Sequence, residues 1–147
     1  MGLIITDWSI FSKGVFLVNL LGIIYDPNAK KVLIGRRVND TNLNELSWVF
    51  PGGRPDYTSE IDDNLHTVIK DCTGLDVDVK KVVFAKTYPE KREFLSIYYH
   101  CELTTPGQKE LTEGNLTELK WIKPTEVGDY FMTSIHPKIL EYLKTLE

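Results

Sequence analysis

Apolar residues form several short runs along the chain, and turn-forming residues separate these runs. The run Phe16–Tyr25 predicts a buried strand, and Asp26-Pro27-Asn28 supplies the turn that follows it. Lys31–Arg36 then predicts the returning strand of a hairpin. The other predicted strands, rich in β-branched and aromatic residues, are Trp48–Phe50, Val77–Lys86, Phe94–Leu103 and Leu119–Ile122.

The stretch PGGRPDYTSEIDDNLHTVIKDCTGL, residues 51–75, has a helical pattern in its middle. Thr58 or Ser59 can cap the N-terminus, and Gly74 can end the helix. Apolar positions at helical spacing are Ile61, Leu65, Val68, Ile69 and Cys72, and a polar face carries Glu60, Asp63, Thr67 and Asp71. We therefore predict a helix over Ser59–Thr73 that contacts a sheet through Leu65 and Ile69.

A second amphipathic helix is predicted over Ser134–Leu146, after the last strand. Strands interrupted by one helix and followed by another predict an α/β/α sandwich around a mixed β-sheet, with one helix on each face. We find no internal repeat, low-complexity tract or linker, so residues 1–147 are interpreted as a single domain.

Composition narrows the classes of partner. The formal net charge of −4 and the pI of about 5.4 predict no general attraction to nucleic acid or to an anionic membrane. The longest apolar run, Gly14–Tyr25, is too short to cross a bilayer, and no signal-peptide pattern precedes it. Cys72 and Cys101 are too few for a disulfide framework. We expect a cytoplasmic protein, and the sequence leaves a homodimer open.

Several side chains near the predicted helix suit a phosphate or a base. Arg36 and Arg37 end a strand that leads toward residues 51–75, and a guanidinium pairs well with phosphate. Trp48 offers a ring that could stack on a base. The alternative interpretation makes the arginines ordinary surface residues and the tryptophan part of the core.

The segment Pro51–Leu75 resembles the Nudix box, whose pattern is G-x5-E-x7-R-E-U-x-E-E-x-G-U with U a bulky aliphatic. Gly53 falls on the first glycine, Gly74 on the closing glycine and Leu75 on the final aliphatic. The flanking stretches KKVLIGRR, LSWVFPGG and ELKWIKPTEV are also similar to those of Nudix hydrolases. The resemblance covers most of the chain from Phe16 onward and implies a Nudix-like α/β/α sandwich.

The box of this chain is degenerate. The resemblance places the carboxylate positions of the family on Ser59, Val68, Asp71 and Cys72, and its arginine on Thr67. In the family these glutamates hold Mg²⁺ or Mn²⁺ against a substrate diphosphate, where hard cations need several oxygen ligands. Asp71 is the one carboxylate at these positions. Glu113, outside the box, falls where some relatives place a further metal ligand or base; its alternative is a solvated loop acid.

Three hypotheses follow for the function. The preferred one is recognition of a nucleotide or a nucleoside-diphosphate-linked ligand, with metal-dependent pyrophosphohydrolase activity lost or strongly reduced. The alternative is an active Mg²⁺- or Mn²⁺-dependent hydrolase that uses Asp71 and Glu113 as catalytic and metal-binding residues. A structural role without a small ligand is the third. For either of the first two, the expected substrate-binding residues are Arg36, Arg37, Gly52, Gly53 and Trp48.

Overall fold

The computed structural model describes residues 8–37, 48–111, 116–131 and 135–147. Within these ranges the chain forms a seven-stranded mixed sheet with helices on both faces. The strands are β1 (Leu17–Asp26), β2 (Lys31–Arg37), β3 (Trp48–Val49), β4 (Gly52–Gly53), β5 (Val77–Tyr88), β6 (Lys91–Leu103) and β7 (Leu116–Ile122). The helices are α1 (Ile61–Thr73), α2 (Val127–Tyr130) and α3 (Pro137–Lys144), and 3₁₀ turns cover Trp8–Lys13 and Pro124–Glu126.

The hairpin of β1 and β2 opens into a wedge. The two strands pair directly only next to their turn, at Tyr25↔Val32 and Asp26↔Lys31. Further from the turn β2 pairs with β3, and β1 pairs with β4. The outer edges of the hairpin are occupied by β7 beside β2 and by β6 beside β1. The segment from β3 to β4 therefore fills the space between the two diverging strands.

The two faces of the sheet carry separate hydrophobic clusters, because successive side chains of a strand point in opposite directions. On the first face α1 covers a cluster of Leu20, Ile24, Leu33, Leu65, Ile69, Leu75, Val77, Tyr99 and Cys101. On the second face α2 and α3 cover Ile23, Val32, Ile34, Phe50, Tyr98, Ile122, Val127, Ile139 and Leu143. The predicted α/β/α sandwich around a mixed sheet is confirmed.

The boundaries of several elements differ from the prediction. The first helix begins at Ile61 rather than Ser59, and the last helix covers Pro137–Lys144 rather than a segment ending at Leu146. Ser134 lies outside the described residues. The two-residue strand β4 and the single-turn helix α2 were not predicted, because neither contains enough residues to show a period.

No helix in the described ranges is long and apolar enough to span a membrane.

Candidate functional site

The loop before α1 is built on glycines that lie against neighbouring atoms. A Cβ on Gly52 would collide with the backbone carbonyl oxygen of Leu20, and a Cβ on Gly53 would lie 2.9 Å from Cγ1 of Val68. The N–H of Gly22 donates to the carbonyl of Pro51 at 2.8 Å. These contacts fix the loop in the wedge of the sheet.

The N-terminus of α1 is held by a residue inside the helix. Glu60 occupies the cap position, and its side chain makes no capping hydrogen bond, so the predicted caps Thr58 and Ser59 were wrong. Asn64 is buried and receives the N–H of Asp56 on its Oδ1 at 2.9 Å. Its Nδ2 donates to the carbonyls of Ser59 and Glu60, each at 3.0 Å. One amide thus joins the first turn of α1 to the loop before it.

Val68 and Cys72 occupy two carboxylate positions of the box, in the middle and in the last turn of α1. Both residues face the loop glycines. Val68 is half-buried with its Cγ1 against Gly53. The half-buried thiol of Cys72 lies 3.8 Å from the carbonyl of Ile69 and beside the backbone of Gly52. Burial raises the pKa of the Cys72 thiol to about 11, which keeps it protonated near neutral pH. A methyl group and a neutral thiol are poor partners for a hard divalent cation.

The other box positions offer little to a cation. Ser59, Thr67 and Asp71 are all exposed on the outer surface of the loop and of α1. Among the described residues, no group of three or more His, Cys, Asp and Glu side chains has a geometry that could hold a metal ion. Glu113 lies outside the described residues, so its predicted role with Asp71 stays a prediction. The residues described at the box therefore do not fit a Mg²⁺ or Mn²⁺ centre.

The predicted substrate-binding residues are divided between the two faces of the sheet. Gly52 and Gly53 contact α1 on the first face through Cys72 and Val68. Trp48, by contrast, contacts the hydrophobic cluster of the second face. All lie at the end of the sheet away from the β1–β2 turn, because β3 pairs with the last residues of β2 and β4 with the first half of β1.

On the second face, four side chains form a group that we call the Trp48 cluster: Arg36, Trp48, Lys120 and Tyr130. The guanidinium carbon of Arg36 lies 5.9 Å from the centre of the Trp48 ring, and that ring meets Tyr130 edge-on with centroids 5.4 Å apart. The Lys120 ammonium lies 4.9 Å from the centre of the Tyr130 ring. The pKa of Lys120 is raised, mainly because its ammonium hydrogen-bonds to the adjacent Tyr130 side chain.

The cations of the Trp48 cluster remain open to solvent. Arg36 is paired with Glu118 only at 4.0 Å, and both side chains are more than half exposed (54% and 52%). An exposed ion pair at that distance contributes little to stability. The neighbouring Arg37 ends β2, and its backbone pairs with Leu116 across a bulge. Two cations and two half-buried rings thus share one accessible surface.

Two residues of the Trp48 cluster were missed in the sequence. Lys120 and Tyr130 lie far from Trp48 along the chain, and no local pattern brings them to it. The available signal was weak: Lys120 directly precedes the tryptophan of ELKWIKPTEV, and Tyr130 follows the turn Lys123-Pro124. Asn64 was missed because a polar residue inside an amphipathic helix is usually assigned to the solvated face.

The three histidines have separate partners. Their ring nitrogens contact Oδ1 of Asp76 (His66, 3.5 Å), Oε2 of Glu102 (His100, 2.8 Å) and the backbone N–H of Lys138 (His136, 3.1 Å). His100 is buried on the second face of the sheet beside Tyr25 and Tyr142.

Comparison with known proteins identifies a shared fold but no matching family model or curated sequence. No protein-family model and no curated protein sequence match the chain. A Nudix hydrolase from Nitrosomonas europaea has a TM-score of 0.71 at 13% sequence identity, over 88% of this chain and 71% of that one. A C. elegans Ap4A hydrolase in a binary complex has a TM-score of 0.67 at 12% identity, over 86% and 93% of the two chains. An ADP-ribose pyrophosphatase from Streptococcus suis has a TM-score of 0.57 at 20% identity, over 74% of each.

The chain therefore has the Nudix fold. Solved structures of that fold include hydrolases of Ap4A and of ADP-ribose, and these activities belong to those proteins.

Proposed function

We propose that this protein binds a nucleotide or a nucleoside diphosphate linked to another group, and that its metal-dependent pyrophosphohydrolase activity is lost or strongly reduced. One observation carries the second half of the proposal: Val68 and Cys72 fill the carboxylate positions of the box helix and face Gly53 and Gly52. A metal-bridged diphosphate needs charged oxygen ligands at that place.

The Trp48 cluster supports the ligand-binding half of the proposal. A base stacked on Trp48 or Tyr130 would gain contact with a ring that is already half-buried. Arg36 and Lys120 flank those rings and are exposed, so they can pair with phosphate oxygens at small cost in desolvation. In this arrangement the ligand lies on the face of the sheet opposite α1.

The alternative function is hydrolysis through a rebuilt centre of Asp71 and Glu113. It requires a divalent cation at Asp71, which is exposed on α1. The two proposals differ in their response to metal: the binding protein is stabilised by nucleotide alone, and the hydrolase is stabilised by metal and releases product.

The test measures melting temperature and product formation with ADP-ribose, Ap4A and a UDP-sugar as probes, each with and without millimolar Mg²⁺ or Mn²⁺. We expect at least one probe to raise the melting temperature without metal, and no product to form. A bound ligand stabilises by about 2.7 kcal/mol at roughly a hundredfold excess over Kd. Arg36→Gln and Lys120→Gln should weaken that shift, whereas the exposed Lys123→Gln should leave it unchanged. Rapid hydrolysis that Asp71→Asn and Glu113→Gln abolish would overturn the proposal in favour of the alternative.

A further inference from the structure

A second basic and aromatic surface lies along β5, at the edge of the sheet remote from the Trp48 cluster. Strand β5 pairs with β6 through Lys81↔His100, Phe84↔Tyr98 and Lys86↔Ser96. His100 and Tyr98 lie on the second face of the sheet, so Lys81, Phe84 and Lys86 point to that face as well. The register shift between Val82 and Phe84 keeps Lys81 on the same face as Phe84 and Lys86.

Helix α3 and the end of β5 complete this surface. The Phe84 ring lies 4.6 Å from the His136 ring and 5.7 Å from the Lys138 ammonium. The Tyr142 ring lies 5.6 Å from the ammonium of Lys81. The Tyr88 ring lies 4.3 Å from the ammonium of Lys86, and the Tyr88 hydroxyl is 2.8 Å from Oγ of Ser96. We call these residues the β5 surface: Lys81, Phe84, Lys86, Tyr88, His136, Lys138 and Tyr142.

The lysines of the β5 surface are not neutralised by the part of the chain that the structure describes. Lys81, Lys86 and Lys138 form no ion pair there, whereas Lys70 and Lys80 pair with Asp76 and Asp78. Glu102, whose charge acts on Tyr142, is bound to His100. Residues 80–92 contain five basic side chains and one acidic one, in a protein with a net charge of −4. The positive charge is thus concentrated on one edge.

We propose that the β5 surface binds single-stranded nucleic acid. Such sites combine a row of cations that follows the backbone with rings on which bases stack. Lys81 and Lys86 oppose His100 and Ser96, four residues apart on β6, so they lie roughly 13 Å apart along the strand, a span of about two nucleotides of an extended chain. On binding, each lysine moves from its ring to a phosphate and leaves the ring to a base. The three rings are half-buried, so part of each ring is open to a base while the rest stays packed against the protein: Phe84, Tyr88 and Tyr142.

Single-stranded nucleic acid would use both the lysines and the aromatic rings of the β5 surface. An anionic membrane or an acidic peptide would use the lysines and leave the rings beside them without a role. The expectation against nucleic acid came from the net charge of the whole chain, and net charge does not describe a local concentration of lysines.

The test is fluorescence anisotropy with labelled oligo(U) and oligo(dT) of roughly 12 nucleotides, within the usual range of site sizes. The variant carries Lys81→Gln, Lys86→Gln and Lys138→Gln. The matched control carries Lys13→Gln, Lys109→Gln and Lys123→Gln, which remove the same charge from exposed lysines elsewhere. We expect the β5 variant to lose about 10-fold or more in affinity and the salt slope to fall by about 2, because each phosphate contact on a single strand contributes about 0.7.

Phe84→Leu separates stacking from charge. We expect it to weaken binding while the salt slope stays unchanged, with melting temperature measured to confirm folding. Three results would overturn the proposal: no binding of either oligonucleotide at about 50 mM salt, equal losses in the two triple variants, or equal affinity for heparin that is insensitive to Phe84→Leu. None of these results bears on whether a small nucleotide binds at the Trp48 cluster.

Discussion

Val68 of α1 lies directly against Gly53 of the preceding loop, so that a Cβ on the glycine would come within 2.9 Å of the valine Cγ1. The helix therefore approaches the loop closely at a place where the Nudix box carries a carboxylate. The apolar side chain of Val68 therefore makes a van der Waals contact that joins the helix to the loop. A glutamate there would have to turn away from Gly53 toward solvent or toward a cation.

This contact predicts a specific coupling between two substitutions. Gly53→Ala should destabilise the protein by about 1–3 kcal/mol, as expected for overpacking. Val68→Ala removes the obstructing methyl groups and should cost about 1 kcal/mol, at the lower end for a truncated aliphatic because Val68 is half-buried. The double variant should be more stable than the sum of the single costs predicts. Urea denaturation of the four proteins measures this, and strict additivity would show that the two residues are not in contact.

Replacing Asn64 with aspartate should destabilise the protein strongly, although the two side chains have nearly the same shape. Asn64→Asp keeps the acceptor for the N–H of Asp56 but cannot donate to the carbonyls of Ser59 and Glu60. We expect a loss of about 2–3 kcal/mol near neutral pH, because a buried carboxylate then faces two carbonyl oxygens. Denaturation monitored by circular dichroism provides the measurement. The control is Asp63→Asn on the exposed face, where a change above about 0.5 kcal/mol is not expected.

The sequence predicted the hairpin and the C-terminus of α1 because local chemistry determines both. Asp26-Pro27-Asn28 forms the turn whatever the later pairing of the two strands. Gly74 adopts the left-handed conformation (φ 75°) that ends α1. The start of α1 was wrong by two residues because competing partners occupy the hydroxyls of the predicted caps: the Thr58 hydroxyl donates to Asp56, and the Ser59 hydroxyl accepts from Asn64. Such a competition depends on burial, which the local pattern does not contain.

The candidate site was predicted only in part. The box helix, its glycines and its missing carboxylates can be read along one segment, and the structure places Val68 and Cys72 beside those glycines. The separation of Trp48 from that segment could not be read, because it depends on which face of the sheet receives β3. Lys120 and Tyr130 reach Trp48 only through the pairing of β7 with β2 and the position of α2.

The buried thiols predict a loss of stability in alkali. Burial raises the pKa of Cys72 from 9.0 to about 11 and that of Cys101 from 9.0 to about 12. The folded state thus favours the protonated thiols, and their contribution is complete below pH 9.0 and is lost as the pH rises toward these folded values. Chemical denaturation across this range should show falling stability, with a shallower fall in Cys72→Ala. An unchanged slope in that variant would mean that the Cys72 thiol ionises as freely in the folded chain as in the unfolded one.

Restoring the box should create a metal-dependent protein. Ser59→Glu, Thr67→Arg, Val68→Glu and Cys72→Glu together would join Asp71, which already carries a carboxylate. Without a cation, crowded like charges and the loss of the Val68 contact should lower the melting temperature. Mg²⁺ or Mn²⁺ should recover it in proportion to metal concentration. A variant with the same added charge at exposed positions outside the box, Val15→Glu and Thr105→Glu, provides the control, and an equal response to metal in both would refute a centre at the box.

The pairing of β1 with β6 has a consequence for how the chain folds. Nine residues of β1, Leu17–Tyr25, pair in parallel with Phe94–Glu102, which follow them only after most of the other elements have been made. Pairs so distant in sequence slow folding, because a long loop must close before any of their contacts form. During synthesis β1 has its hairpin partner early, but one of its hydrogen-bonding edges stays vacant until residue 102 has emerged from the ribosome. In that interval an apolar strand is exposed to other chains, so the yield of folded protein should depend on protein concentration and on chaperones more than its final stability suggests.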